Sequence, residues 1–331
     1  MKVVILGSGS WGTALANVLA YNQVDVTIWG INQVEIDEIN HSHLNSNFFP
    51  NVILNEKIIA TLDFTVVKDA DVVLLAVPSS AISSVCTKVY ATVANPVIMI
   101  NVAKGFHPET DERLSVVITR IMQEKLNAVV SLIGPSHAEE VVLGLLTSVN
   151  AVSNNLQAAQ IVQKLFSNEY FRVYTNDDVV GAEIGVALKN VMAIASGIIA
   201  GLNQGDNARA AMMTRGLAEI TRFGKKLNAR PETFLGLCGV GDLIVTCTSQ
   251  HSRNFQAGLA IGKANSAKEF LAHNQKTVEG IKACKSVYQQ AKKLNVSMPI
   301  TNQMYQVLYE DKLPSLAIAE LMNRKLKSEN E

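Results

Sequence analysis

Apolar and polar positions follow two rhythms along this chain, and the change of rhythm divides it. In the first half, short β-branched apolar runs recur, each followed by a segment of helical spacing. Lys2–Leu6 is the first run, and residues 13–20 behind it carry helical periodicity. Further strands are predicted at residues 24–29, 70–78, 96–102 and 128–133, with a helix over 81–91. The run at 70–78 is continuous and ends at Pro78, as expected of a strand buried on both faces. Strands alternating with helices predict a doubly wound α/β sheet in which these runs lie parallel.

From residue 179 onward strand patterns become rare. Helical spacing runs through 208–223, 232–237, 255–263 and 281–294, and Pro231 stands where a helix would start. The turn Thr175-Asn176-Asp177-Asp178 offers Asp or Asn as a helix cap and marks the expected boundary. The prediction is an α/β domain over residues 1–178 and an all-α domain over 179–331, with a frayed tail from Lys325. A chain of 331 residues is long enough for two cores.

Composition narrows the class. Lys+Arg and Asp+Glu both number 29, so neither nucleic acid nor an anionic membrane surface is expected as a partner. The four cysteines form no Cys-x-x-Cys pair, and no His/Cys spacing suits zinc; no metal is expected. No uncharged apolar run reaches membrane-spanning length, and the N-terminal apolar run is too short for a signal peptide. Together these features predict a cytoplasmic protein without membrane insertion.

Candidate chemistry starts at Gly7-Ser8-Gly9-Ser10-Trp11-Gly12. Strand, Gly-x-Gly-x-x-Gly and helix stand in the order that binds a dinucleotide. Gly7 permits the turn, Gly9 lets backbone approach a pyrophosphate, and Gly12 lets helix and strand pack closely. The helix start then offers unpaired N–H groups to the phosphates. Three other strand-end loops hold reactive-looking residues: Val77-Pro78-Ser79, Ala103-Lys104-Gly105 and Gly134-Pro135-Ser136. After the second strand, Trp29-Gly30-Ile31-Asn32-Gln33 has neither the acid that suits NAD nor the arginine that suits NADP, and Glu35 comes slightly late. NADH and NADPH both stay open.

Lys189 is the only charged residue between Ile184 and Gly205. A lysine in low dielectric loses part of its preference for the charged form, which suits acid/base catalysis. The alternative is a snorkelling side chain with its ammonium in water. Asp242, after Gly239-Val240-Gly241, reads either as a helix cap or as a carboxylate that holds a lysine or substrate hydroxyl. Ser252-Arg253-Asn254 reads either as a capped surface turn or as an anion site, and the residue types alone do not separate phosphate from carboxylate.

These motifs, with Leu188-Lys189-Asn190-Val191, Arg215-Gly216-Leu217, Gly241-Asp242-Leu243 and Val278-Glu279-Gly280, occur in one order over residues 1 to about 320. In that register the chain resembles the bacterial-type NAD(P)-dependent sn-glycerol-3-phosphate dehydrogenases. The resemblance implies a Rossmann-type cofactor domain, a helical substrate domain, and interconversion of sn-glycerol 3-phosphate and dihydroxyacetone phosphate to supply phospholipid synthesis. It implies Lys189 as proton donor and acceptor, Lys104 touching substrate and cofactor, and Asp242 beside the catalytic lysine. It places Gly134, Ser136, Asn190, Thr246, Ser252, Arg253 and Asn254 at the substrate, a small phosphorylated triose. It places Gly7, Gly9, Ser10, Trp11, Gly12, Ile31, Ala138, Thr277 and Glu279 at the cofactor, with Lys104 and Arg253 near it too. A homodimer is implied as well. The chain departs from its relatives at Ile31, where many carry a basic residue or histidine, and at His137, which replaces an aromatic residue. The rival expectations are a β-hydroxyacid-type dehydrogenase and a non-catalytic sensor of nicotinamide cofactor.

Overall fold

The computed structural model describes residues 1–274 and 278–329. The chain divides into two compact units, Met1–Glu183 and Ile184–Glu331.

The first unit is built on eight strands: β1 Lys2–Leu6, β2 Asp25–Trp29, β3 Ile59–Thr61, β4 Val72–Leu75, β5 Val97–Asn101, β6 Leu126–Ile133, β7 Thr147–Val152 and β8 Phe171–Asn176. They form one sheet in the order β3-β2-β1-β4-β5-β6-β7-β8. Pairing is parallel from β3 through β6, antiparallel between β6 and β7, and parallel again between β7 and β8. Its helices are α1 Ser10–Tyr21, α2 Gln33–Asp37, α3 Ile82–Thr92, α4 Leu114–Met122, α5 Ala138–Val141 and α6 Leu156–Phe166.

The apolar runs of the central strands serve two cores at once. In β1, Val3 and Ile5 join Leu15, Leu19 and Val162 in one cluster. Val4 and Leu6 join Val85, Val89 and Ile118 in the other. Alternate side chains of a strand point to opposite faces, so a strand covered on both sides must be apolar throughout.

All five predicted strands are present and mutually parallel. Three more were not foreseen. β3 has only three residues. β7 carries Asn150, and β8, at the sheet edge, alternates buried Phe171 and Val173 with exposed Arg172 and Tyr174. Such mixed stretches lack the continuous apolar signature of the central strands.

Helix α7, Val179–Gly201, leads into the second unit, followed by α8 Gly205–Lys226, α9 Pro231–Leu235, α10 Asp242–Thr248, α11 Arg253–Ala264, α12 Lys268–His273, α13 Glu279–Lys293, α14 Pro299–Tyr309 and α15 Pro314–Met322. Asp178 starts α7 by accepting the Gly181 N–H at 2.9 Å. Pro231 is at the first turn of α9, where its missing N–H costs nothing. By length and composition α7 is apolar enough to cross a membrane, yet 94% of its most apolar window is buried inside the protein. It is a core helix.

Candidate active site

The glycine loop joins β1 to α1. Gly7 has φ +123°, open to glycine and strained for other residues. A Cβ on Gly12 would lie 2.1 Å from the Gly7 carbonyl oxygen, whereas a Cβ on Gly9 would meet no heavy atom within 4 Å. Gly12 is therefore fixed by packing and Gly9 is not; Gly9 faces open space. Gly9 is also the N-cap of α1 and brings no side-chain cap, so the first-turn N–H groups of Ser10, Trp11 and Gly12 have no such partner. An open glycine before uncapped N–H groups fits a pyrophosphate.

The other strand-end loops share that edge of the sheet. Beyond β5, the Asn101 side chain accepts the Ala103 N–H at 3.1 Å and turns the chain into Lys104. Lys104 is half-buried, and the loop behind it closes through a Phe106–Arg113 bridge. Arg113 pairs with the buried Glu183 at 3.1 Å. Beyond β6, Ser136 donates to the Gly134 carbonyl at 3.1 Å. A Cβ on Gly134 would lie 2.8 Å from Val149 Cα, so this glycine is also demanded by the antiparallel neighbour β7. Ala138 is buried at the start of α5, directly after His137. Ile31 is 84% exposed.

In the second unit α7 buries Lys189. Its Nζ pairs with Asp242 Oδ1, and the two side chains are only 2% and 1% exposed. The ammonium is not in water, which rules out snorkelling. Asp242 is the first residue of α10 and follows a π-helical turn, Leu237–Gly241. The N-cap is Gly241, so the Asp242 carboxylate serves the lysine and not the helix. One turn later Thr246 Oγ1 donates to the Asp242 carbonyl at 2.6 Å and lies 3.4 Å from Oδ1. Burial pushes the neighbouring Cys247 thiol up to about 12, leaving it a neutral packing group.

The pair's second carboxylate oxygen, Asp242 Oδ2, and the amide Nδ2 of Asn190, the residue after Lys189, are buried with no hydrogen-bond partner among the described residues. Buried polar atoms are nearly always satisfied, so each exception calls for an explanation, and a bound ligand is one.

Ser252 caps α11 by accepting the Phe255 N–H at 3.2 Å, as a capped turn would, but it is buried and not at the surface. Arg253, next along, is exposed. Asn254 is buried, and its Oδ1 accepts the Gly280 N–H at 2.9 Å. A Cβ on Gly280 would lie 2.6 Å from the Asn190 carbonyl and 2.8 Å from Asn254 Oδ1. The second unit thus gathers α7, α10, α11 and the start of α13 around Lys189, Asn190, Asp242 and Asn254. Glu279 is half-buried as the first residue of α13. Thr277 lies outside the described residues.

Comparison with known proteins identifies the family. Residues 2–159 match the family described as NAD-dependent glycerol-3-phosphate dehydrogenase N-terminus, and residues 178–319 match its C-terminus. A glycerol-3-phosphate dehydrogenase (NAD(P)+) of Enterococcus faecalis is 51% identical over all of this chain and 98% of its own length. The chain belongs to this family. A Staphylococcus aureus relative of the same description is 49% identical over 99% of both chains. The crystal structure of glycerol-3-phosphate dehydrogenase from Coxiella burnetii superposes with a TM-score of 0.90 at 35% identity, covering 98% of this chain and 99% of its own. The Rossmann-type sheet followed by a helical unit is this family's architecture, as the sequence predicted.

Sequence reading missed one part of the family member's glycine loop. Ser8 is buried, and its hydroxyl donates to Glu35 Oε2 at 2.5 Å. Its carbonyl accepts from the fully buried Asn45 at 2.8 Å. The only signal was the lateness of Glu35 after β2. Nothing local points to Asn45.

Proposed function

We propose that this chain is an oxidoreductase that interconverts sn-glycerol 3-phosphate and dihydroxyacetone phosphate with NADH or NADPH, and that it supplies glycerol 3-phosphate for phospholipid synthesis. One observation carries the chemistry: a buried lysine–carboxylate pair whose second carboxylate oxygen has no hydrogen-bond partner among the described residues.

Bound nicotinamide supplies or accepts the hydride. Lys189 gives a proton to the ketone oxygen as it becomes an alkoxide, and takes one from the alcohol in the reverse direction. Asp242 holds the ammonium in place through Oδ1, and its Oδ2 is an acceptor for a substrate hydroxyl. Asn190 Nδ2 is a donor for a substrate oxygen. Thr246 steadies Asp242 from one turn away. Lys104 adds positive charge where oxyanion charge develops.

Arg253, with Ser252 and Asn254, is assigned to the substrate phosphate; an exposed guanidinium at a helix start offers a planar donor fork to an anion. Gly134 and Ser136 complete the substrate contacts. Gly7, Gly9, Ser10, Trp11 and Gly12 hold the cofactor, with Ile31, Ala138, Thr277 and Glu279 as further contacts. The enzyme is assigned to the cytoplasm as a homodimer. Four buried cysteines, none in a disulfide among the described residues, support a reducing compartment.

The test is nicotinamide absorbance over time with dihydroxyacetone phosphate and each cofactor in parallel. Oxidation of either cofactor is expected. Intact cofactor binding without oxidation would overturn the substrate assignment.

A further inference from the structure

The position after β2 is where an acid normally reads the cofactor's ribose. This chain's acid there, Glu35, is already engaged. Oε2 accepts the Ser8 hydroxyl at 2.5 Å, and Oε1 accepts from Asn32 Nδ2 at 3.3 Å. Ser8 stands inside the glycine loop, between Gly7 and Gly9. We propose that Glu35 is a positioning residue for the phosphate-binding glycine loop, acting through Ser8, and not a reader of the ribose.

Three observations build the case. Ser8 is 6% exposed, so its hydroxyl needs a partner inside the protein. A carboxylate partner makes that hydrogen bond charge-assisted, stronger than a neutral one. The same residue is gripped from the other side, since its carbonyl accepts from Asn45 Nδ2 at 2.8 Å and Thr13 Oγ1 at 3.2 Å. Gly30, at the end of β2, leaves room for the contact: a Cβ there would lie 2.6 Å from Ser8 Oγ. The loop is thereby held on both sides of the peptide that leads into Gly9, and Gly9 faces open space. What the loop meets is the pyrophosphate, which NADH and NADPH share. A loop-positioning role must therefore act equally on both cofactors. A ribose-reading role must act unequally, because the two differ at the ribose 2′ position.

The proposal rests on the cofactor assignment above, and its test separates the two. Dissociation constants for NADH and NADPH are measured by nicotinamide fluorescence for the unaltered protein, Ser8→Ala, Glu35→Ala, Glu35→Gln and the Ser8→Ala/Glu35→Ala double variant. Melting temperatures without cofactor are recorded alongside. Ser8→Ala and Glu35→Ala should each raise both constants by the same factor, about three- to tenfold. The double variant should be no worse than either single one, since both remove one interaction. Glu35→Gln keeps an acceptor for Ser8 and should recover most of the affinity. It keeps the test valid if the alanine variant fails to fold.

A change of more than about threefold in the NADH-to-NADPH ratio for Glu35→Gln would overturn the proposal. So would additive losses in the double variant, or unchanged constants throughout. If the unaltered protein binds neither cofactor, the cofactor assignment itself fails.

Discussion

Lys189 and Asp242 hold opposite charges against each other in the interior of the helical unit, each side chain 2% exposed or less. Taking two ions out of water costs several kcal/mol apiece, and only close pairing offsets it. The pair is consequently both a catalytic candidate and a structural commitment, and substitution should separate the two roles.

Lys189→Met should abolish turnover and also destabilise the protein, because it leaves the Asp242 carboxylate buried without its ammonium. The expected loss is about 3–5 kcal/mol. Adding Asp242→Asn should recover most of the stability and none of the turnover. Urea unfolding beside the absorbance assay reads both. Near-normal turnover in Lys189→Met would make the lysine purely structural.

Two glycines of one motif should fail differently. Gly12→Ala puts a methyl 2.1 Å from the Gly7 carbonyl and should lower the melting temperature by several degrees or prevent folding. Gly9 has φ −68°, which alanine tolerates, and open space beyond it. Gly9→Ala should fold normally and bind NADH and NADPH at least about tenfold more weakly, as backbone approach to the pyrophosphate is blocked. Calorimetric melting and fluorescence titration check the contrast.

Arg253→Ala should raise KM for dihydroxyacetone phosphate by about tenfold or more, through loss of a charge-assisted contact. The guanidinium is exposed at the start of α11, so the fold should be unaffected. An unchanged KM in steady-state kinetics would move the phosphate site elsewhere.

Stability should depend on Glu219. Burial pushes its carboxyl up to about 7, against the N–H groups of Ile300 and Thr301 and the nearby Arg222 guanidinium. A carboxyl with a raised folded-state pKa binds its proton more tightly when folded. Its contribution is complete below about 4.5 and is lost as pH rises to about 7. The unaltered protein should lose up to about 3 kcal/mol over that window relative to Glu219→Gln, and run parallel to it above. Burial raises Glu183 as well, which adds to the trend in both proteins. Denaturant midpoints across pH 4.5–8 provide the check.

The central strands, the glycine loop and the candidacy of Lys189 were all legible in the sequence by itself. Each is a property of neighbouring residues: a continuous apolar run, a fixed glycine spacing, a lone charge in an apolar helix. That Asp242 meets Lys189 was implied by the family resemblance but by no local pattern, because Asp242 comes from another helix and the competing N-cap reading is equally local. Nor does a local pattern point to the antiparallel turn of the sheet at β7, to Asn45 beneath the glycine loop, or to Gly280 fitted against Asn190 and Asn254. Periodicity reports which face of an element is buried. It does not report which distant side chain comes to meet that face, and in this protein those meetings decide which buried polar groups are satisfied.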